Sequence, residues 1–176
     1  MDCEIDTVDT GDLVCLDYCL AKSTRQTPPI VPTHPDLDRF IKAQEESYPA
    51  ALAELEEGSK QTHWMWFIFP QLRGLGRSST AQFYGLTDKH EAQAYLDHPV
   101  LGVRLRTCTR AILRHAPAKS AWDILGSPDD LKFRSCMTLF SIVAPDERLW
   151  REALEAFFAG EADPLTLDLL RKSPTA

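Results

Sequence analysis

The residues best suited to chemistry stand together in Lys60-Gln-Thr-His63-Trp-Met-Trp66-Phe-Ile-Phe-Pro-Gln71-Leu-Arg73-Gly-Leu-Gly76-Arg77. A neutral imidazole beside a desolvated lysine works as general acid or base near neutral pH, so His63 with Lys60 three positions earlier is the sharpest candidate. Further along, Glu91 is the only well-placed carboxylate in an otherwise basic region, open either to a general-base role or to pairing with Arg104. These residues define an expected pocket of Lys60, His63, Gln71, Arg77, Glu91 and Arg104 around an anionic small molecule such as a nucleotide, an ADP-ribose-like compound or a sugar phosphate. In it Arg104 and Lys60 hold the anion, Trp66 or Tyr84 stacks on a base or sugar, and His63 or Glu91 moves a proton. Hydrolase or glycosidase chemistry without metal or other cofactor is the matching reaction class. Alanine at Glu91 or Arg104 is then expected to leave folding largely intact while abolishing ligand binding.

The charge pattern supports an anion. No acid occurs between Gly58 and Thr87 or between His98 and Trp122, yet these segments carry eight cations in a protein of net charge −7. Arg106, Arg110 and Arg114 follow i, i+4, i+8 and form a basic ridge on one helix. The loop from Arg73 to Ser79 is rich in donors, but it lacks the third glycine and the feeding strand of a dinucleotide fingerprint. No nucleophile elbow, phosphate loop, metalloprotease helix or cysteine–histidine signature is present. Cys15 and Cys19 lack the two-residue gap usual in zinc hairpins, so no metal site is predicted.

The elements that must position these residues read as helices. Leu37, Phe40, Ile41 and Gln44 follow helical spacing with Asp36 as a start signal, and Ser47 with Pro49 restarts the chain into a helix that stops at Gly58. The aromatic run is ambiguous between strand and helix; with no partner strand in sight, a short buried helix capped by Thr62 and ended by Pro70 is preferred. Helices follow over 91–96, 100–115 and 118–125. Ser127-Pro-Asp-Asp130 opens one whose two apolar stripes place it in the middle, and helices over 149–158 and 164–170 close the domain. The fold class is all-α, an orthogonal multi-helix bundle with a buried central helix.

Size and composition bound the rest. The 176 residues fit one helical domain, 36–171, between an acidic, proline-rich tail and linker over 1–35 and a short C-terminal tail over 172–176. Six acids against two bases give residues 1–35 a net charge of −4, and four prolines follow, so this tail is expected to be mostly disordered. Its apolar patch Leu13 to Leu20 can dock on a protein partner. The acidic balance argues against general nucleic-acid binding, and no segment reads as a membrane span or secretory signal, which points to a cytoplasmic protein. The competing reading is a non-enzymatic interaction module that meets an acidic partner through the Arg106–Arg110–Arg114 ridge and uses the tail as a docking peptide.

Together His63-Trp-Met-Trp-Phe-Ile-Phe-Pro-Gln71, Gly74-Leu-Gly76 with Ser78, Glu91 to Leu96, His98-Pro to Arg104-Leu, Asp129 to Lys132 and Met137-Thr-Leu-Phe140 resemble the bacterial and fungal family known as domain of unknown function 1810. The resemblance spans about residues 36 to 160 and implies a mainly α-helical, uncharacterised domain. Some members of that family carry a calpastatin label. Cys136 stands where the family pattern implies serine. A fainter likeness, in the order Glu91, Pro99, Gly102 and Arg104, is similar to N-glycosidases of riboflavin biosynthesis and ADP-ribose processing.

Overall fold

The computed structural model describes residues 36–172. The tail with Cys3, Cys15, Cys19 and the Leu13 to Leu20 patch lies outside the described residues. Among those described there are nine helices and no strand: α1 (Asp38–Glu57), α2 (Met65–Ile68), α3 (Ser79–Tyr84), α4 (Lys89–Asp97), α5 (Leu101–Leu113), α6 (Ala121–Leu125), α7 (Asp129–Val143), α8 (Arg148–Phe158) and α9 (Pro164–Lys172). The all-α class is therefore what the periodicity predicts.

Two of the local signals act differently from expectation. Ser47 and Pro49 do not break the first segment, because α1 runs through Pro49 without interruption to its stop at Gly58. Proline at that position lacks the N–H that would donate to the carbonyl of Glu45. Thr62 does not cap α2 either. Its hydroxyl and backbone N–H both donate to Glu54, at 2.6 and 3.1 Å, and α2 begins three residues later, behind Trp64, with no side-chain cap.

A four-residue helix has no stability of its own. What holds α2 is the burial of Trp64, Met65, Ile68 and Phe69, all at most 1% exposed and each contributing about 1.5–3 kcal/mol. The chain therefore takes the helical turn that buries most apolar surface.

Helix α7 is central, packing against α4, α6, α8 and α9. Phe133, Cys136, Met137, Leu139 and Phe140 are fully buried along it, and Phe133 meets Phe69 edge-on at 4.9 Å. Leu131, which the second apolar stripe includes, is instead 56% exposed. On the other side of the core α1 packs on α5 and α2, with Phe40 edge-on to Tyr95 of α4 at 5.0 Å. No described helix is long and apolar enough to cross a membrane.

Candidate functional site

Proline at position 70 ends α2, and the backbone of Gln71 to Arg73 then runs beside Leu86. Leu86 N–H donates to the Gln71 carbonyl at 2.9 Å and Arg73 N–H donates to the Leu86 carbonyl at 2.7 Å. This two-bond clamp fixes where Gln71 points. Gly74 turns the chain with a φ of 102°, in the region that favours glycine. At Gly76 the need is closeness, because a Cβ there would lie 2.4 Å from the Cβ of Ala81 in α3. Ser78 then caps α3 by accepting the Ala81 N–H at 3.1 Å. The glycine-containing exit thus folds a tight loop against α3.

That loop, the end of α2, the first turns of α7 and the start of α9 enclose a cleft of about 460 Å³ whose lining includes Trp66, Gln71, Arg77, Leu131, Lys132 and Leu165. Gln71 is only 8% exposed, and its side-chain amide makes no hydrogen bond among the described residues. Arg77 is exposed and has neither ion pair nor hydrogen bond among them. Lys132 holds its ammonium 4.5 Å from the centre of the Trp66 ring and 2.7 Å from Asp129. The same carboxylate receives Lys60 at 2.8 Å. Burial alone would raise the Asp129 carboxyl, but the hydrogen bonds and charges of Lys132 and Lys60 outweigh it and hold the group below its ordinary value.

Other polar groups at the cleft are already occupied. Asp163 Oδ2 accepts from Ser135 Oγ at 3.0 Å, Thr166 N at 2.9 Å and Thr166 Oγ1 at 2.5 Å, which is how α9 is capped and tied to α7. Arg134 pairs with Glu161 at 3.0 Å.

The expected six-residue pocket does not assemble. Gln71 and Arg77 share the cleft with Trp66, and Lys60 is linked to it only through Asp129 and Lys132. His63 lies exposed outside it, with no hydrogen bond or ion pair among the described residues. Glu91 is 6% exposed and committed, with Arg39 at 2.5 Å on one oxygen and the Thr87 N–H at 2.7 Å on the other. Arg104 reaches Gln44 Oε1 at 3.3 Å and stacks on Tyr48 at 4.5 Å, holding α5 to α1. Tyr84 packs among Phe40, Phe67 and Phe83 at ring distances of 5.8, 5.3 and 4.9 Å.

The basic ridge is also partly spent. Arg106 makes two bonds to Glu147, at 2.8 and 2.9 Å, and Arg114 lies 4.0 Å from Glu56, leaving Arg110 exposed. The acids that neutralise the two acid-free segments come from distant parts of the chain. A wider cleft of about 550 Å³ between α1 and α4 is lined by Leu37, Ile41, His90, Asp97 and His98, with none of the expected site residues. His98 there caps α5, its Nδ1 accepting from Val100 N at 3.2 Å and Leu101 N at 3.3 Å.

Both described thiols are free and buried. Burial pushes Cys108 up to about 12 in spite of Arg104 nearby, and burial lifts fully enclosed Cys136 well above its ordinary range. No group of three or more histidine, cysteine or acidic side chains is placed to hold a metal ion among the described residues.

Sequence reasoning missed Leu131 and Leu165 as cleft walls, and the pairing of Glu91 with Arg39. Gln44 carried a signal: it is a polar residue inside the apolar stripe of α1, and it is fully buried, donating to the Phe67 carbonyl at 2.7 Å and to Tyr95 Oη at 3.0 Å.

No curated protein matches the chain. A crystal structure of a conserved hypothetical protein from Mycobacterium tuberculosis is similar, with 43% sequence identity and a TM-score of 0.76 over 78% of this chain and 98% of that one. The family described as "Protein of unknown function (DUF1810)" matches residues 34–170, which contain all nine described helices except the last two residues of α9. The matched span includes the aromatic helix α2 and the clamped loop behind it, and the chain belongs to the DUF1810 family.

Proposed function

We propose that the cleft bounded by Trp66, Gln71, Arg77 and Lys132 binds a small organic anion. The observation that supports it most is Gln71, a residue only 8% exposed that lines the cleft and whose side-chain amide has no partner among the described residues. The amide atoms reach solvent at the cleft, so a ligand there must match the hydrogen bonds that water offers them. An amide and a guanidinium on one concave wall, neither with a partner among the described residues, make an arrangement that a ligand completes.

The reading is one of binding. Catalysis by His63 and Glu91 draws no support from their positions, since the first lies outside the cleft and the second is held by Arg39. Asp163, the carboxylate in the lining, is engaged as a helix cap. We also read the protein as working in the cytoplasm, where thiols such as Cys108 and Cys136 stay reduced.

The test is a thermal-shift screen of the full chain against carboxylates, nucleotides and sugar phosphates. Ligand at a hundred times its dissociation constant adds about 2.7 kcal/mol and raises the melting temperature. A hit that Arg77→Ala removes supports the site. A hit unaffected by Arg77→Ala and Gln71→Leu places binding elsewhere and overturns the reading.

A further inference from the structure

Resting on that reading, we infer that the organic anion is an α-N-acylamino carboxylate, meaning one carboxylate, one amide and one apolar side chain on a single short frame. Three features of the cleft ask for these three groups together.

The first is the guanidinium of Arg77. It has no partner among the described residues and presents the planar fork of N–H donors that fits a carboxylate with two parallel bonds, with the Lys132 ammonium on the same lining. The second is the Gln71 amide, which offers both a carbonyl acceptor and an N–H₂ donor. A fully ionised anion such as sulfate accepts hydrogen bonds only and leaves the Gln71 carbonyl unmet, whereas a second amide answers both halves at once. The third is the apolar wall. Leu131 and Leu165 line the cleft while 56% and 62% exposed, with Leu75 and Pro128 beside them. A sugar phosphate gains nothing by covering leucines. An apolar side chain does, and water leaves the wall when it binds. At about 460 Å³ the cleft has the size of an ordinary small-molecule site.

This chemistry belongs both to a free N-acylamino acid and to the last residue of a peptide. The experiment separates them by titrating the full chain and following backbone amide shifts of Gln71 and Arg77 by NMR. The probes are N-acetyl-L-leucine, N-acetyl-L-leucinamide without the carboxylate, 4-methylpentanoate without the amide, ribose 5-phosphate without the apolar part, and acetyl-Ala-Ala-Leu. N-acetyl-L-leucine is expected to bind at least tenfold more tightly than the amide, the alkyl acid and ribose 5-phosphate. Gln71→Leu then erases its preference over 4-methylpentanoate, and Arg77→Ala its preference over the amide. Equal binding of the tripeptide assigns the site to peptide C-termini, and weaker binding assigns it to the free compound. Ribose 5-phosphate binding as well as N-acetyl-L-leucine, and losing that binding in Arg77→Ala, overturns this inference while the anion site stands. Failure of every probe to move either residue, together with an empty ligand screen, removes both.

Discussion

Around α1, α4 and α5 the groups that could do chemistry have found partners within the protein: Glu91 holds Arg39, Arg104 holds Gln44 and Tyr48, and Arg106 holds Glu147. At the cleft beside α7, Gln71 and Arg77 have none among the described residues. The difference is instructive because both regions look alike in sequence, each a cationic stretch with one or two interesting polar residues. A buried charge that is paired is part of the fold, since removing either partner leaves the other desolvated. A polar group that the fold places on a concave wall and leaves unpaired contributes nothing to stability, and its presence points to an external partner.

Substitutions can break this contrast, and the largest effect belongs to the paired region. Gly102→Ala would put a Cβ 1.9 Å from the Leu96 carbonyl oxygen, forcing α4 and α5 apart. We expect a loss of about 3 kcal/mol or more in denaturant unfolding, at the upper end for overpacking because the obstacle is backbone. Glu91→Ala comes next, at roughly 3 kcal/mol, since the Arg39 side chain it strands is itself only 13% exposed. This reverses the sequence-based expectation of an intact fold. A variant as stable as the wild type would return Glu91 to the list of functional candidates.

Glu54 supplies the third test. Its carboxylate receives Gln61 N, Thr62 N, Thr62 Oγ1 and Trp64 Nε1, at 2.8, 3.1, 2.6 and 2.8 Å. Burial would raise this carboxyl, but the bonds from Thr62, Gln61 and Trp64 together outweigh it and hold it below its ordinary value of 4.5. A group whose folded value is depressed stabilises the fold fully above its unfolded value and loses that contribution as pH falls through the lower folded one. Glu54→Gln should therefore cost about 2 kcal/mol at pH 7 and flatten the pH dependence of stability below 4.5, as read by melts across that range. An unchanged acid limb in the variant would show that the bonds do not favour the charged form.

The smallest effect on stability is expected at the cleft. Arg77→Ala should change unfolding free energy by less than about 0.5 kcal/mol, as exposed positions do. Gln71→Leu should change it by less than about 1 kcal/mol, because the amide has no partner among the described residues. A loss above about 1 kcal/mol in Gln71→Leu would mean that the amide is satisfied in the folded protein, and the contrast between the two regions would fail there.

How much of this was legible depends on how far each interaction reaches along the chain. The stop at Gly58 and the buried face of α7 come from residues within one or two turns of each other, and spacing reveals such features. Gln71, Arg77 and Trp66 were also legible as candidates, since a proline, a glutamine and two glycines behind an aromatic run announce a tight exit. Pro49 misled because tertiary packing of α1 on α5 and α2 overrides the break that a proline encourages. The pairing of Glu91 with Arg39 was not legible for a deeper reason. The two lie 52 residues apart, and no local pattern names a partner at that distance.

By itself the sequence determined the helical class, most helix ends and which residues are apolar enough to be buried, because these follow from short-range spacing and from the transfer of side chains out of water. Only the tertiary structure decided which charges cancel: Lys60 with Asp129, Arg39 with Glu91, Arg106 with Glu147. Coulomb attraction and desolvation depend on distances in space, and the chain sets those distances only once the core has closed around α7.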